Sequence, residues 1–381
     1  MKVIGKSMAA AVAATLTVWS AAAAAQTVVK LGHVGPLTGG IAHLGKDNEL
    51  GARLAVEDLN AKKLTIGGQP VQFQLLSEDD GADPKQGTAA AQKLVDAKVN
   101  GVIGHLNSGT TIPASKIYHD AGIPQISPSA TNPKYTQQNF KTAFRVVAND
   151  GQLGGALGRY AVKDAQAKTI AIIDDRTAYG QGVADEFEKA AKAAGAKIVA
   201  REFTTDKATD FSAILTKLKG AKPDLVFYGG MDAVAGPMLR QMKQLGVNAK
   251  FMGGDGICTE KLAELAGSAM AEGQVVCAEA GGVTQERAAQ MDAWRKRFKE
   301  RTGQEVQLYA PYVYDAVMVM ATAMQKANSA DPAKYLPELQ KTSYDGVTGN
   351  IAFDAKGDVR EGTLTLYTYK AGKRSQMMVV K

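Results

Sequence analysis

The feature that most constrains the fold is an alternation of short apolar runs with longer amphipathic segments, which continues through almost the whole chain. The apolar runs have the length of strands, and the longer segments have the apolar spacing of helices. Repeated alternation of this kind predicts an α/β protein with parallel sheets covered by helices on both faces. The pattern restarts after Asp150-Gly151, and a single sheet with so many strands would be unusually wide. We therefore expect two doubly wound lobes.

The end of the chain has a different pattern. Two long helices are predicted near residues 285–301 and 312–327. Apolar runs at 350–354, 363–369 and 376–380 follow, with turn residues between the first two, and these are typical of antiparallel strands.

The first 25 residues predict an export signal. Lys2 and Lys6 precede an apolar core rich in Ala and Val, and Ala23-Ala24-Ala25 provides a small-residue cleavage site. The alternative is a membrane anchor, but a span needs about 20 strongly apolar residues and this core is shorter. Cleavage would leave 356 of the 381 residues and lower the formal net charge from +7 to +5. We expect a soluble protein of the periplasm.

The basic residues are spread among acidic ones and form no long run. This pattern is typical of a solvated surface and does not favour nucleic-acid binding. The two cysteines, Cys258 and Cys277, can form a disulfide in an oxidising compartment. Two buried thiols are the alternative, and the export signal favours the disulfide.

Small hydroxyl residues follow two neighbouring predicted strands in residues 101–131, and a helix is predicted between these strands, over 112–120. Ser108 comes after the first strand, and Ser129 and Thr131 come after the second. Ligands bind at the carboxyl ends of parallel strands. A hydroxyl and free N–H groups at a helix N-terminus suit a carboxylate or a phosphate, whereas the carbonyls and hydroxyl of the second loop suit an ammonium. The alternatives are that Ser108 or Thr110 only caps a helix, and that the second loop is a polar turn.

Two residues of the second half could complete a ligand site. Asp255 stands among glycines directly after a short predicted strand and would attract a cation. Its alternative role is that of an ordinary turn aspartate. Tyr179 follows another predicted strand and could close over a ligand, although it could equally be a partly buried tyrosine.

Enzyme and cofactor motifs are missing from the sequence. It contains no G-x-S-x-G, P-loop or H-E-x-x-H pattern, and its four histidines share no metal-binding spacing. We therefore expect no catalysis, no cofactor and no metal. The remaining enzymatic interpretation is an exported hydrolase that uses Ser108 and His105.

Several short motifs occur in a defined order along the chain: GPLTG at 35–39, VIGHL at 102–106, SPSAT at 127–131, YG at 179–180 and YGG at 228–230. Together they resemble the periplasmic binding proteins for leucine, isoleucine and valine, which feed ABC importers. The resemblance covers essentially the whole mature chain. It implies a type I periplasmic binding fold, with two doubly wound parallel-sheet lobes joined by three hinge crossovers. Lobe 1 would comprise residues 26–149 and 279–358, and lobe 2 residues 150–278 and 359–381.

The resemblance also implies roles for individual residues. Ser108 would donate to the carboxylate of an amino acid, the Ser129 carbonyl would accept from its ammonium, and Thr131 would offer both its N–H and its hydroxyl. Tyr179 would reach in from lobe 2. Asp255 would pair with the ammonium, at a position where close relatives often have Glu.

Other positions would shape the remainder of the site. Leu44 and Met231 stand where family members have tyrosines, Tyr309 would line the side-chain end, and Asn107 and Ala130 complete the set. The implied function is a monomeric receptor that delivers a leucine-type amino acid to a membrane permease. The alternative on the same fold is a binder of an amide, a urea or an aromatic acid.

Overall fold

The computed structural model describes residues 27–380. The predicted export signal lies outside the described residues. Within them, no helix combines the length and the apolar character that crossing a membrane requires.

The first sheet has six strands in the order β2-β3-β1-β4-β5-β6. All neighbouring pairs are parallel except β2 with β3. The carboxyl ends of β1, β4 and β5 therefore meet at one edge, which is the edge where ligands bind in such sheets. The strands are β1 (Thr27–Gly35), β2 (Thr65–Ile66), β3 (Gln69–Asp79), β4 (Gly101–Gly104), β5 (Gln125–Ser127) and β6 (Ala143–Arg145).

The second sheet has seven strands in the order β15-β14-β11-β10-β9-β7-β8. Five are parallel, whereas β14 and β15 run antiparallel at one edge, as predicted for the tail. A two-stranded hairpin of β12 and β13 stands apart. The strands are β7 (Thr169–Asp174), β8 (Lys197–Phe203), β9 (Leu225–Gly229), β10 (Lys250–Gly253), β11 (Val275–Glu279), β12 (Ser343–Asp345), β13 (Asn350–Ala352), β14 (Leu364–Lys370) and β15 (Lys373–Val380).

Helices connect these strands, which makes each sheet part of a separate α/β lobe. The chain passes from one lobe to the other three times: after β6, after β11 and before β14. The helices are α1 (Ala42–Ala61), α2 (Pro84–Asp96), α3 (Ser108–Asp120), α4 (Lys134–Gln137), α5 (Asp150–Lys163), α6 (Ala178–Ala193), α7 (Ser212–Ala221), α8 (Asp232–Leu245), α9 (Glu260–Ala266), α10 (Ala288–Thr302), α11 (Ala310–Lys326) and α12 (Pro332–Gln340).

Local sequence explains where the helices of the site begin. The Asp83 side chain accepts from two N–H groups of α2, and Asn149 forms a reciprocal capping box with Gln152 at the start of α5. The structure starts α3 at Ser108, four residues before the predicted start. The Asn107 carbonyl accepts from the N–H and hydroxyl groups of Thr110 and Thr111, so the polar loop is already the first helical turn.

The two cysteines form a disulfide, as predicted. Cys258 follows a 3₁₀ turn that begins at Asp255, and Cys277 lies on β11. The Cys258 N–H also donates to the Asp255 carbonyl. The disulfide therefore ties the turn that carries Asp255 to the second sheet.

Reducing this disulfide should destabilise the protein. With a sequence separation of 19, the chain-entropy relation gives a contribution of about 3 kcal/mol to the free energy of unfolding. The test is urea unfolding of the mature protein with and without reductant, followed by far-UV circular dichroism. Coincident curves for the oxidised and the fully reduced protein would contradict the prediction.

Candidate functional site

The site lies between the two lobes, where loops after strands of both sheets meet. It contains a narrow gap of about 10 Å³, which has room for about one water molecule. Because the cavity is this narrow, a ligand of amino-acid size can enter only when the lobes move apart. Its lining residues are Leu106, Asn107, Ser108, Ser129, Tyr179, Met231, Asp255 and Tyr309.

Ser108 is the first residue of α3, and its hydroxyl oxygen accepts from the Asn132 N–H at 3.2 Å. Thr110 donates its hydroxyl to the Asn107 carbonyl. Neither side chain accepts from a helix N–H, so the alternative that they serve only as caps is wrong. Within residues 27–380, the N–H groups of Ser108, Gly109 and Thr131 have no acceptor. Two of these donors, those of Ser108 and Gly109, lie at the N-terminus of α3 and favour an anion.

The second loop offers acceptors. The Ser129 carbonyl receives no hydrogen bond from the described residues, whereas those of Ala130 and Thr131 each receive one and that of Asn132 receives two. The Thr131 hydroxyl and the Asn107 side-chain oxygen are also buried without a well-formed hydrogen bond in the described chain. Ser129 donates its own hydroxyl to the Leu106 carbonyl, which joins the two loops. Acceptors therefore stand beside the donors at Ser108.

Asp255 is fully enclosed between two tyrosines. Tyr179 donates its hydroxyl to one carboxylate oxygen and Tyr309 donates to the other, each at 2.8 Å. Burial raises the pKa of Asp255 to about 6, and these two hydrogen bonds oppose that rise. At neutral pH the site therefore presents a carboxylate that has no cationic partner among the described residues.

Tyr309 lines the cavity and faces Asp255. Its hydroxyl contacts Asp255 because its backbone is held by Asp47. The buried Asp47 carboxylate accepts from four consecutive N–H groups, those of residues 307–310, at the start of α11. This interaction fixes the entry of α11 and directs the tyrosine towards Asp255.

Three other expected residues do not line the cavity. Leu44, Ala130 and Thr131 are all buried, and Leu44 belongs to the main hydrophobic core. Met231 does line it, from the start of α8. The apolar part of the lining therefore comes from Met231 and Leu106 rather than from Leu44.

Sequence reasoning missed Asp150, the first residue of α5. Its N–H donates to the Thr131 carbonyl, and its carboxyl lies near the Thr131 hydroxyl, although that contact does not reach hydrogen-bond geometry. Burial raises the pKa of Asp150 to about 8, with a further rise from the charge of Asp255. An Asp in the first turn is ordinary in a helix, so no sequence signal marked this one.

The geometry gives no support to the hydrolase alternative. The His105 ring contacts Asp80 through Nδ1 at 3.1 Å and the Tyr118 hydroxyl through Nε2 at 3.0 Å. Its nitrogens are thus committed inside lobe 1, and Ser108 is paired with Asn132 instead. The described residues also contain no cluster of His, Cys, Asp and Glu that could hold a metal ion.

Two α/β lobes that enclose unpaired donors, acceptors and a carboxylate define a protein that binds a small polar ligand between its lobes. The chain belongs to the periplasmic binding protein family, whose family model matches residues 28–374.

Named relatives agree with this membership. The leucine-, isoleucine-, valine-, threonine- and alanine-binding protein of Pseudomonas aeruginosa is 34% identical over 91% of both chains. The isoleucine complex of the branched-chain amino acid transporter substrate binding protein LivJ of Streptococcus pneumoniae has a TM-score of 0.84 at 27% identity, covering 93% of this chain and 99% of that one. An ABC transporter substrate-binding protein of Desulfitobacterium hafniense in complex with Leu has a TM-score of 0.75 at 27% identity, covering 92% and 100%.

Replacing Asp150 by Asn should raise the melting temperature most at alkaline pH. The folded carboxyl keeps its proton up to a pH of about 8, whereas the unfolded one loses it near 3.8. Between these values the folded state binds more protons, so the contribution of Asp150 to stability falls as pH rises. We expect a larger gain at pH 8 than at pH 5 in scanning calorimetry. A gain that is the same at both pH values would contradict the raised pKa.

Proposed function

We propose that this chain is a periplasmic substrate-binding protein that delivers a leucine-type amino acid to an ABC importer. The observation that carries the proposal is the division of unpaired polar groups around one cavity. The free N–H of Ser108 and the free carbonyl of Ser129 belong to residues that line it, and the carboxylate of Asp255 faces them from the other lobe. The free N–H and hydroxyl of Thr131 lie two residues beyond Ser129. A zwitterion has the matching arrangement of charges.

The carboxylate of the ligand would lie at the start of α3. The Ser108 hydroxyl and the free N–H groups there donate to it, and the helix dipole adds to the attraction. The ammonium would lie between the Ser129 carbonyl, the Thr131 hydroxyl and Asp255. Each charge of the ligand then has a partner, which a closed cleft requires because an unpaired buried charge is costly.

The side chain of the ligand would pack against apolar surface from Leu106 and Met231. Burying a leucine-sized side chain contributes roughly 1.5–3 kcal/mol to affinity. The relatives, which have leucine and isoleucine among their ligands, support this size class. We propose that the protein acts by binding alone, as a monomer and without a cofactor.

Closure would bring together contacts that join the lobes. Asn132 donates its amide to the Ala178 carbonyl at 2.6 Å, and His43 lies 2.8 Å from the buried Asp232 carboxylate. Gly182 permits this approach, because a Cβ atom there would lie 2.5 Å from the Asn132 amide nitrogen. A ligand that bridges the cleft would shift the population towards this closed form, which the permease would then recognise. We propose lobe boundaries near residues 149, 278 and 358.

A thermal-shift panel tests the proposed ligand class. Leucine, isoleucine and valine should raise the melting temperature of the mature protein, whereas acetamide, urea and benzoate should not. A ligand at about 100 times its dissociation constant stabilises the folded state by roughly 2.7 kcal/mol, which such a scan resolves. A flat response to all zwitterionic amino acids would overturn the proposal, and shifts with amides or aromatic acids alone would favour the alternative.

The affinity for leucine should fall as pH drops below about 6, because protonation of Asp255 removes the partner of the ammonium. Asp255→Asn should bind at least about tenfold more weakly at pH 7, the loss expected for a charge-assisted contact. Its affinity should also vary less between pH 5 and pH 7. Titration calorimetry at several pH values measures both effects.

Asp315→Asn is the matched control for this substitution. Asp315 is a buried carboxylate of α11 that accepts from the Val347 and Thr348 N–H groups and does not line the cavity. Its replacement should leave both the affinity and the pH profile unchanged. If Asp255→Asn retains the wild-type profile, Asp255 is not the partner of the ammonium.

A further inference from the structure

Arg145, the last residue of β6, is a fully buried cation beside the second ligand loop, which comprises residues 127–132. One guanidinium nitrogen donates to two carbonyls of this loop, that of Ala130 at 2.9 Å and that of Asn132 at 3.0 Å. A buried arginine is tolerated only when its donors are satisfied. Two of the five hydrogen bonds that Arg145 donates go to the backbone of the loop that faces the ligand cavity.

Arg145 holds two of the four carbonyls of residues 129–132, those of Ala130 and Asn132. The Asn132 carbonyl also accepts from the Tyr135 N–H. The Thr131 carbonyl accepts from the Asp150 N–H, which leaves the Ser129 carbonyl without a partner in the described chain.

Arg145 is itself held by the connections between the lobes. Asp358 accepts from its Nε at 2.9 Å and from its Nη2 at 2.6 Å, and it lies between β13 and β14, on the third passage of the chain. The Thr136 hydroxyl accepts from Nη2 as well. The other carboxylate oxygen of Asp358 accepts from the Asn149 side-chain amide at 3.4 Å. Asn149 caps α5, where the chain first passes from one lobe to the other. One buried ion pair therefore links the ligand loop to two of the three connections.

We propose that Arg145 is a positioning residue for ligand binding. By holding alternate carbonyls of the loop, it aims the Ser129 carbonyl at the ammonium of the ligand, and Asp358 fixes the guanidinium in that role. The second part of this inference, the effect on affinity, rests on the proposed function. The first part, the ordering of the loop by Arg145, does not.

Two variants and two measurements test the proposal in the mature protein. Arg145→Lys keeps the charge, but a single ammonium cannot reproduce the planar set of donors that reaches both carbonyls and Asp358. Asp358→Asn keeps the shape and weakens the hold on Arg145. Hydrogen exchange without ligand should be faster at the Ala130 and Asn132 amides in both variants. Leucine affinity should fall about tenfold or more in Arg145→Lys, and less in Asp358→Asn.

Asp315→Asn separates positioning from a general loss of stability. It removes the charge of another buried lobe 1 carboxylate that holds loop backbone, and it should lower the melting temperature without changing exchange in the ligand loop or the affinity. Unchanged exchange at residues 130 and 132 in both test variants would overturn the ordering role. Faster exchange with wild-type leucine affinity would overturn the effect on the ligand. Should the wild type bind no amino acid, the proposed function fails, and the exchange measurement still decides the ordering role.

Discussion

A polar group buried in a folded protein needs a hydrogen-bond partner, and the site of this chain depends on where that requirement is left unmet. At the cavity, the free N–H of Ser108 stands beside the unpaired carbonyl of Ser129, and the unpaired hydroxyl of Thr131 follows two residues later. Unpaired side chains occur elsewhere too, such as His33 and Asn48, but neither lines the cavity. The combination of free donors and free acceptors is what supports our proposal that the cavity takes a zwitterion.

The same requirement explains how the charges are arranged. Arg145 and Asp358 neutralise each other behind the ligand loop, and Asp47 is satisfied by four N–H groups of the α11 entry. Asp255 has only tyrosine hydroxyls, and Asp150 has little beyond the nearby Thr131 hydroxyl. Burial therefore raises the pKa of Asp255 and Asp150, to about 6 and about 8. At neutral pH the negative charge that lacks a cationic partner is therefore that of Asp255, because Asp150 keeps its proton.

Much of the architecture could be predicted from the sequence because it depends on local periodicity. The alternation of strands and helices, the antiparallel tail and the start of α2 at Asp83 all follow from short-range patterns. The start of α3 was predicted too late because small hydroxyl residues favour caps and turns as much as a first helical turn. The disulfide was favoured by the export signal, which concerns the compartment rather than the fold.

The parts of the site that escaped prediction depend on contacts between distant segments. Tyr309 reaches Asp255 because Asp47 holds its backbone from a position more than 250 residues earlier in the chain. The carboxylate that pairs with Arg145 belongs to Asp358, which lies 213 residues later in the chain. In the sequence, each of these residues looks like an ordinary charged residue of a helix, a strand or a turn. Only folding shows which of them are buried and what they hold.

The hydrogen bonds that the two tyrosines donate to Asp255 also affect whether a ligand can bind there without a large free-energy cost. An ionised carboxylate can accept about four hydrogen bonds, and the hydroxyls of Tyr179 and Tyr309 take one position on each oxygen. Acceptor positions on the Asp255 carboxylate therefore remain for an ammonium. The hydroxyl of Tyr309, in lobe 1, thus forms a hydrogen bond across the cleft with Asp255, in lobe 2. An aspartate, one methylene shorter than glutamate, can then serve the same cleft if the lobes close further or if the hydroxyls move with the ligand. The length of this acidic side chain and the closure of the lobes are therefore coupled, and the fit of the head group depends on both.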